Sequence, residues 1–521
     1  MTSQPIRRPS KKWSIVAWAS ASALSVILSY LLMLAIALAC LSLPLALIRP
    51  DSGAAFSNLL LSAFGLVMGL TILWSLIPRR DKFVPPGVEI DLTQQGILSQ
   101  EIAAIAAALN EPLPAHVYLT ADANAFVAQH GGIAGMGSRR IMGVGLPLLQ
   151  TLSVSQFRAV LAHEFAHFYS GDTRLGPWVF TARAAILRVV KNLGNSSPVL
   201  QFLARFGVIA LLYTLIMKGL ILYWKVFMRL TQFIARRQEF RSDELACYIA
   251  GSDALIEGLK TVHRAGIAVR AYWDTVVGPI VQNGRQPALA EGFRQFMLTP
   301  QISAAAAGYL TGQMNNPQTS PFDTHPPLNA RIEKARSLGN AALDSDNRPA
   351  VSLLANLNNL ELALLQKLAP NLTPAQLRPL AWETVGNEVY IPGWRNQIAE
   401  FLPVLAESKV GALPDLLRDL VPIAAKLKDP PGLLLTRDQR IERAAGVIRS
   451  AFTLALLDHG WTLHAQPGYF FIEKDDLRLE PVSLLAKLRS GEFTREAWSI
   501  YCEKAGIAGW PLAQQANAAA F

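Results

Sequence analysis

Charge is missing from two long stretches of this chain. No Asp, Glu, Lys or Arg occurs from Trp13 to Ile48, and none from Ala54 to Pro78. Each stretch exceeds the ~20 apolar residues that cross a bilayer core, which excludes an ordinary soluble enzyme for this part of the chain. Charged residues make up only 17% of the 521 and hydrophobic ones 51%, so the apolar surplus is local. Cysteine is scarce as well. Cys40, Cys247 and Cys502 are the only three, too few and too scattered for a disulfide framework, and they fit a reducing compartment. No aromatic-plus-basic pattern argues for nucleic acid as a partner.

What is present orients those apolar stretches. Arg7, Arg8, Lys11 and Lys12 precede the first, Arg79, Arg80 and Lys82 follow the second, and only Arg49 and Asp51 lie between them. By the positive-inside rule, residues 1–82 form a basic N-terminus and a transmembrane hairpin with both ends in the cytoplasm. These flanks also explain most of the net charge of +10. A cleaved leader is the competing reading, and Ala37-Leu38-Ala39-Cys40 faintly suggests a lipidation site. The apolar run, however, outlasts the ~7–15 residues of a leader's core, continues past Cys40 and is followed by a second span.

The remainder reads as α+β, mainly α. Gln100–Leu109 has the pattern of a short helix, while Ala115–Thr120, Asn124–Ala128 and Arg139–Val144 read as strands around a Gly-rich segment, 130–137. Residues 83–345 are expected to form one domain, interrupted by a helical, membrane-associated insertion at about 175–236. That insertion reads as two long helices broken near Gly194–Pro198, the second with an uncharged run from Phe206 to Met217. The pair either crosses the membrane twice or dips in and lies against its surface. Residues 350–521 are expected to form a C-terminal α-rich domain. It carries two strands, Trp461–Ala465 and Tyr469–Lys474, joined at Pro467-Gly468.

The chain has eight histidines, and two of them frame His163-Glu164-Phe165-Ala166-His167 in a helical run that Ser153 is placed to cap. Positions i and i+4 share a helix face, so both imidazoles can bind one zinc ion while Glu164 holds a metal-bound water. A catalytic zinc keeps one position open and takes three protein ligands, so one ligand is missing. RRQEFRSDELACYI offers Glu239 and Asp243 on one face, with Glu244 pointing elsewhere. Either acid could bind the metal, the other orienting a ligand histidine; an exposed, ion-paired helix is equally compatible with the spacing. A metzincin is excluded, because Ser170 and Thr173 stand where its Gly and third His belong.

HEFAHFYSGD followed by EFRSDELA resembles the HtpX and CaaX prenyl protease family of membrane-bound zinc metallopeptidases. The resemblance implies a zincin-like metalloprotease domain with a small edge-strand sheet and one Zn2+ per chain, held by His163, His167 and Glu239. Asp243 would orient a ligand. Asn124-Ala125-Phe126 is similar to the N-A-F motif ahead of the family's substrate-binding edge strand. Thr324-His325-Pro326-Pro327-Leu328-Asn329-Ala330-Arg331 is similar to its late T-H-P-P-x-x-x-R segment, whose His and Arg stabilise the oxyanion. Asp172 is either a further orienting group or a helix-end residue.

The expected chemistry is metalloendopeptidase proteolysis at the cytoplasmic face of a bacterial inner membrane, with Glu164 as general base and His325 and Arg331 as oxyanion donors. A polypeptide substrate would add as a strand along Arg139–Val144, past Ile141, Met142 and Gly143, so membrane-associated or unfolded proteins are favoured. Quality control is preferred to prenylated-peptide processing, since nothing suggests a chamber of many long spans. The alternative is a catalytically idle membrane scaffold acting through its C-terminal domain. A transporter is a poor reading, because neither clear span contains an ionisable residue.

Overall fold

The computed structural model describes residues 13–47, 55–77, 83–130, 138–169, 172–195, 202–203, 205, 207–315, 325–339, 345–373, 376–427 and 434–513. The chain folds into two compact units, 1–269 with 304–368 and 270–303 with 369–521. The basic flanks of the first hairpin and the Gly-rich 131–137 lie outside the described residues.

In the first unit, the two uncharged stretches are helices α1 (Trp13–Leu47) and α2 (Ala55–Leu76). Their side chains are large and apolar on the outside, with Leu24, Leu38, Leu59 and Trp74 all more than half exposed. That is the pattern of a lipid-facing surface, where small residues bring helices together. Gly65 and Gly69 lie against α1: a Cβ at Gly65 would fall on the Cys40 carbonyl oxygen, and one at Gly69 would stand 2.9 Å from that of Ala37.

The insertion consists of α6 (Asp172–Asn195) and α7 (Gly207–Ala250). They run antiparallel: Tyr213 Oη donates to the Leu193 carbonyl, while farther along Arg183 Nη2 donates to Thr231 Oγ1. Ile186 and Val189 of α6 and Leu220 and Phe227 of α7 share one core with Met33, Phe64 and Met68 of the first hairpin. The insertion is thus packed into the α1–α2 pair. Among the described residues, three helices are long and apolar enough to cross a membrane: Ala23–Leu47, Phe56–Leu76 and Gly207–Ala250. The third goes beyond the two spans that composition alone made clear.

A four-stranded sheet supports the site. Its strands are β1 (Val88–Ile90), β2 (His116–Thr120), β3 (Ala125–His130) and β4 (Arg139–Gly145), in the order β1-β2-β4-β3. β4 pairs in parallel with β2, His116 opposite Ile141, and antiparallel with β3, Phe126 opposite Gly143. This corrects the expected substrate strand. Ile141, Met142 and Gly143 belong to an interior strand bonded on both sides, so no peptide can add to it; the sheet's edges are β1 and β3, and β3, beginning at Ala125, is the edge that borders the site. Gly143 is needed where it stands, since a Cβ there would fall on the Phe126 ring lying across it.

Helix α3 (Gly96–Leu109) buries Leu98, Ile102 and Leu109 and ends at Asn110, whose φ of 56° stops it in the left-handed region. After the short α4 (Leu146–Thr151), helix α5 (Val154–Tyr169) opens on a reciprocal cap. The Gln156 amide donates to Ser153 Oγ and the Ser153 amide to Gln156 Oε1. Arg158 grips Glu101 through two bonds of 2.6 and 2.7 Å, tying α5 to α3. Helix α8 (Ser252–Ala271) follows α7 directly.

In the second unit, residues 270–303 fold with the C-terminal part. Arg285–Pro287 pairs in parallel with Arg378–Leu380, and Trp382 Nε1 donates to the Ala288 carbonyl. Helix Arg437–Leu457, opened by a Thr436–Gln439 capping box, runs through a core that includes Val447, Phe452 and Trp498. Strands Thr462–Gln466 and Tyr469–Lys474 form the expected hairpin, joined by a third, Leu477–Leu479.

Candidate metal centre and active site

Helix α5 projects His163, Glu164 and His167 from one face, and ligand atoms of all three lie within 4.8 Å of one another. The two imidazoles meet edge to face, with centroids 4.8 Å apart. α7 passes alongside and inserts the Glu239 carboxylate between them. Its Oε2 is 3.5 Å from His163 Nε2 and its Oε1 is 3.6 Å from His167 Nε2.

Behind these groups sits a set of orienting contacts. Asp243 Oδ1 is 2.9 Å from His163 Nδ1, an arrangement in which Nδ1–H donates to the carboxylate and Nε2 is left facing Glu239. Asp243 is held in turn by Arg331, whose Nε and Nη2 donate to its two oxygens at 2.8 and 2.7 Å. Ser242 Oγ lies 3.3 Å from His167 Nδ1 and does for that ring what Asp243 does for the other. Ser242 was not singled out by the sequence reading. It follows Glu239 by three residues, and the same helical spacing that groups Glu239 with Asp243 would have found it.

Burial and neighbouring charge tune the groups. Burial pushes the Glu164 carboxyl up to about 7. It drives His167 down to about 4, helped by the charge of His163, so that ring is neutral. Burial also works against a His163 cation, but the contacts with Asp243 and Glu239 outweigh it and raise the ring to about 9. For Asp243 burial is overcome by the Arg331 guanidinium, which holds the carboxyl at about 2. Glu239 is likewise buried, yet His163, His325 and Arg331 keep it far below the ordinary carboxylate range.

His325 is 64% exposed, and its Nδ1 stands 3.0 Å from Glu239 Oε2. Arg331 is buried, with Nη1 3.5 Å from the same oxygen. Its Nε and Nη2 are engaged by Asp243, so it braces α7 instead of presenting a free fork to the cleft. Asn124, Ala125, Glu164, His325 and Arg331 all border one cavity of about 200 Å³. Phe126 stands next along β3, over Gly143. Asp172 is the first residue of α6; its side chain and Thr324 lie outside the described residues.

The donors fit a metal ion. Glu239 Oε2 is buried without a hydrogen bond of proper geometry, and two imidazole nitrogens converge on the same carboxylate. Two histidines and one carboxylate are a ligand set of catalytic zinc sites.

Residues 92–338 match the model of Peptidase family M48. Among curated proteins the chain is similar to Protease HtpX of Xylella fastidiosa (strain 9a5c), 26% identical over 170 residues that cover 32% of this chain and 57% of that one. Protease HtpX of Pseudomonas putida is 26% identical over 201 residues, covering 38% of this chain and 58% of the relative. That of Pseudomonas savastanoi pv. phaseolicola is 25% identical over 202 residues, with the same shares. The chain therefore spans somewhat over half the length of these relatives. No solved structure matches.

Proposed function

We propose that the chain is a membrane-anchored zinc metalloendopeptidase, its site on the cytoplasmic side of a bacterial inner membrane, that hydrolyses membrane-associated or unfolded proteins. The observation that carries this reading is the convergence of His163 Nε2 and His167 Nε2 on the buried, hydrogen-bond-deficient Glu239 carboxylate, with Glu164 beside them. His163, His167 and Glu239 would hold one zinc ion, whose Lewis acidity would polarise the scissile carbonyl and make water a stronger nucleophile. Glu164 removes the proton from the attacking water and passes it to the departing amine, a task suited to a carboxyl tuned to about 7. His325, exposed at the cavity, donates to the oxyanion. Arg331 acts through Asp243 and His163, as a positioning residue. The substrate lies as an added strand on the β3 edge, from Asn124 and Ala125 onward.

The test uses the full chain in proteoliposomes with an unfolded polypeptide. Cleavage should stop with a zinc chelator, return with zinc, and vanish in Glu164→Gln while that variant keeps one zinc per chain. Near wild-type cleavage by Glu164→Gln would refute the assignment.

A further inference from the structure

One wall of the 200 Å³ cavity has no part in the chemistry above. Val160 of α5 and Leu255, Leu259 and Val262 of α8 make it apolar, and His263 adds a single polar group. His263 is fixed by its own helix: Nδ1 lies 2.8 Å from the Leu259 carbonyl, to which Nδ1–H donates. The ring therefore presents Nε2 as a lone pair, and no described residue hydrogen-bonds to it. Burial, with the charges of Arg331 and His325 adding to it, lowers the ring's affinity for a proton, in keeping with the neutral form.

The location says what would fill this space. Ala125 opens the free edge β3 and Glu164 faces the reacting carbonyl, and both border the cavity. A strand laid on β3 alternates its side chains, so a residue flanking the scissile bond turns its side chain inward here. Valine and leucine walls desolvate that side chain. A charged head of either sign would lose its water against these walls, and the cavity borders both the Glu164 carboxyl and the Arg331 guanidinium, so neither sign finds a matched partner that replaces that water.

Resting on the peptidase reading above, we propose that this cavity is a specificity pocket for one residue flanking the scissile bond. His263 Nε2 there selects an apolar side chain that ends in a hydrogen-bond donor, tyrosine above all. One neutral hydrogen bond corresponds to a preference of about fivefold over the same ring without its hydroxyl.

The test takes the zinc-loaded full chain and peptides that differ only at the two flanking positions, carrying Tyr, Phe, Leu, Glu or Lys. At one position kcat/KM should favour Tyr over Phe about fivefold, with Glu and Lys poorest. In His263→Leu the Tyr-to-Phe ratio should fall to about one, and His263→Gln, which keeps an acceptor, should restore part of it. Binding of the same peptides to Glu164→Gln, read by fluorescence anisotropy, should rank them alike without turnover. Chelator-sensitive cleavage with the same Tyr-to-Phe ratio in wild type and His263→Leu overturns the pocket alone. Absence of both cleavage and binding for every peptide overturns the peptidase reading with it.

Discussion

Arg331 and Asp243 form a buried charge pair whose removal can be read as a cycle. The two side chains are 7% and 0% exposed, and two bonds of 2.7 and 2.8 Å join them. Arg331→Leu leaves the Asp243 carboxylate fully buried, with His163 Nδ1 at 2.9 Å as its remaining partner. Breaking a buried ion pair in this way costs about 3–5 kcal/mol, and the protonated His163 that still faces Asp243 puts this variant at the lower end. Asp243→Leu strands the guanidinium in the same way, leaving Glu239 Oε2 at 3.5 Å to face it. The double variant strands neither charge, so its cost should fall short of the sum of the single ones by about 2–3 kcal/mol. Denaturant unfolding of chelated protein in detergent measures this free of the stabilisation that bound zinc adds. Single costs under ~1 kcal/mol, or costs that add within ~0.5 kcal/mol, would refute the buried lock.

Two other perturbations test neighbouring parts of the argument. Because His163 in the metal-free protein holds a proton up to about pH 9, zinc must displace it. Zinc affinity should rise with pH toward 9, about tenfold per unit where one proton leaves, and a pH dye in weak buffer at pH 7.5 should report that proton. Gly65→Val places side-chain atoms on the Cys40 carbonyl of α1; it should cost about 1–3 kcal/mol by overpacking, lowering the temperature at which the detergent-solubilised protein loses its fold.

The parts of the site that were legible in advance are those written in local helical spacing. His163, Glu164 and His167 share a face of α5, and Glu239 and Asp243 share one of α7, because 3.6 residues per turn decides both. What is not local was misread or missed. Residues 139–144 look like a strand, but whether that strand is an edge depends on its parallel pairing with β2, which no nearby residue announces. Residues 270–303 carry no change in composition, yet they fold with the C-terminal unit through Arg285–Pro287 and Trp382. β1 and the strand Leu477–Leu479 are three residues each, too short for a periodic signal. His263 is not singled out by any motif in the sequence; the fold puts it in the cavity.

α7 joins the two halves of the argument. It is unbroken from Gly207 to Ala250, and no Gly or Pro lies between Phe227, buried with the first hairpin, and Glu239 in the site. Sharp kinks need such residues or a bulge, so the stretch is a rigid strut. At 1.5 Å per residue it lifts Glu239 at most about 18 Å from Phe227. An extended chain covers ~3.3–3.6 Å per residue. On the proposed reading, five or six unfolded residues beyond a substrate's own span therefore suffice to reach the metal ligands. A tight two-residue turn at the bilayer surface does not. On that reading the strut would select loosened tails and loops over compact ones before any side chain is read.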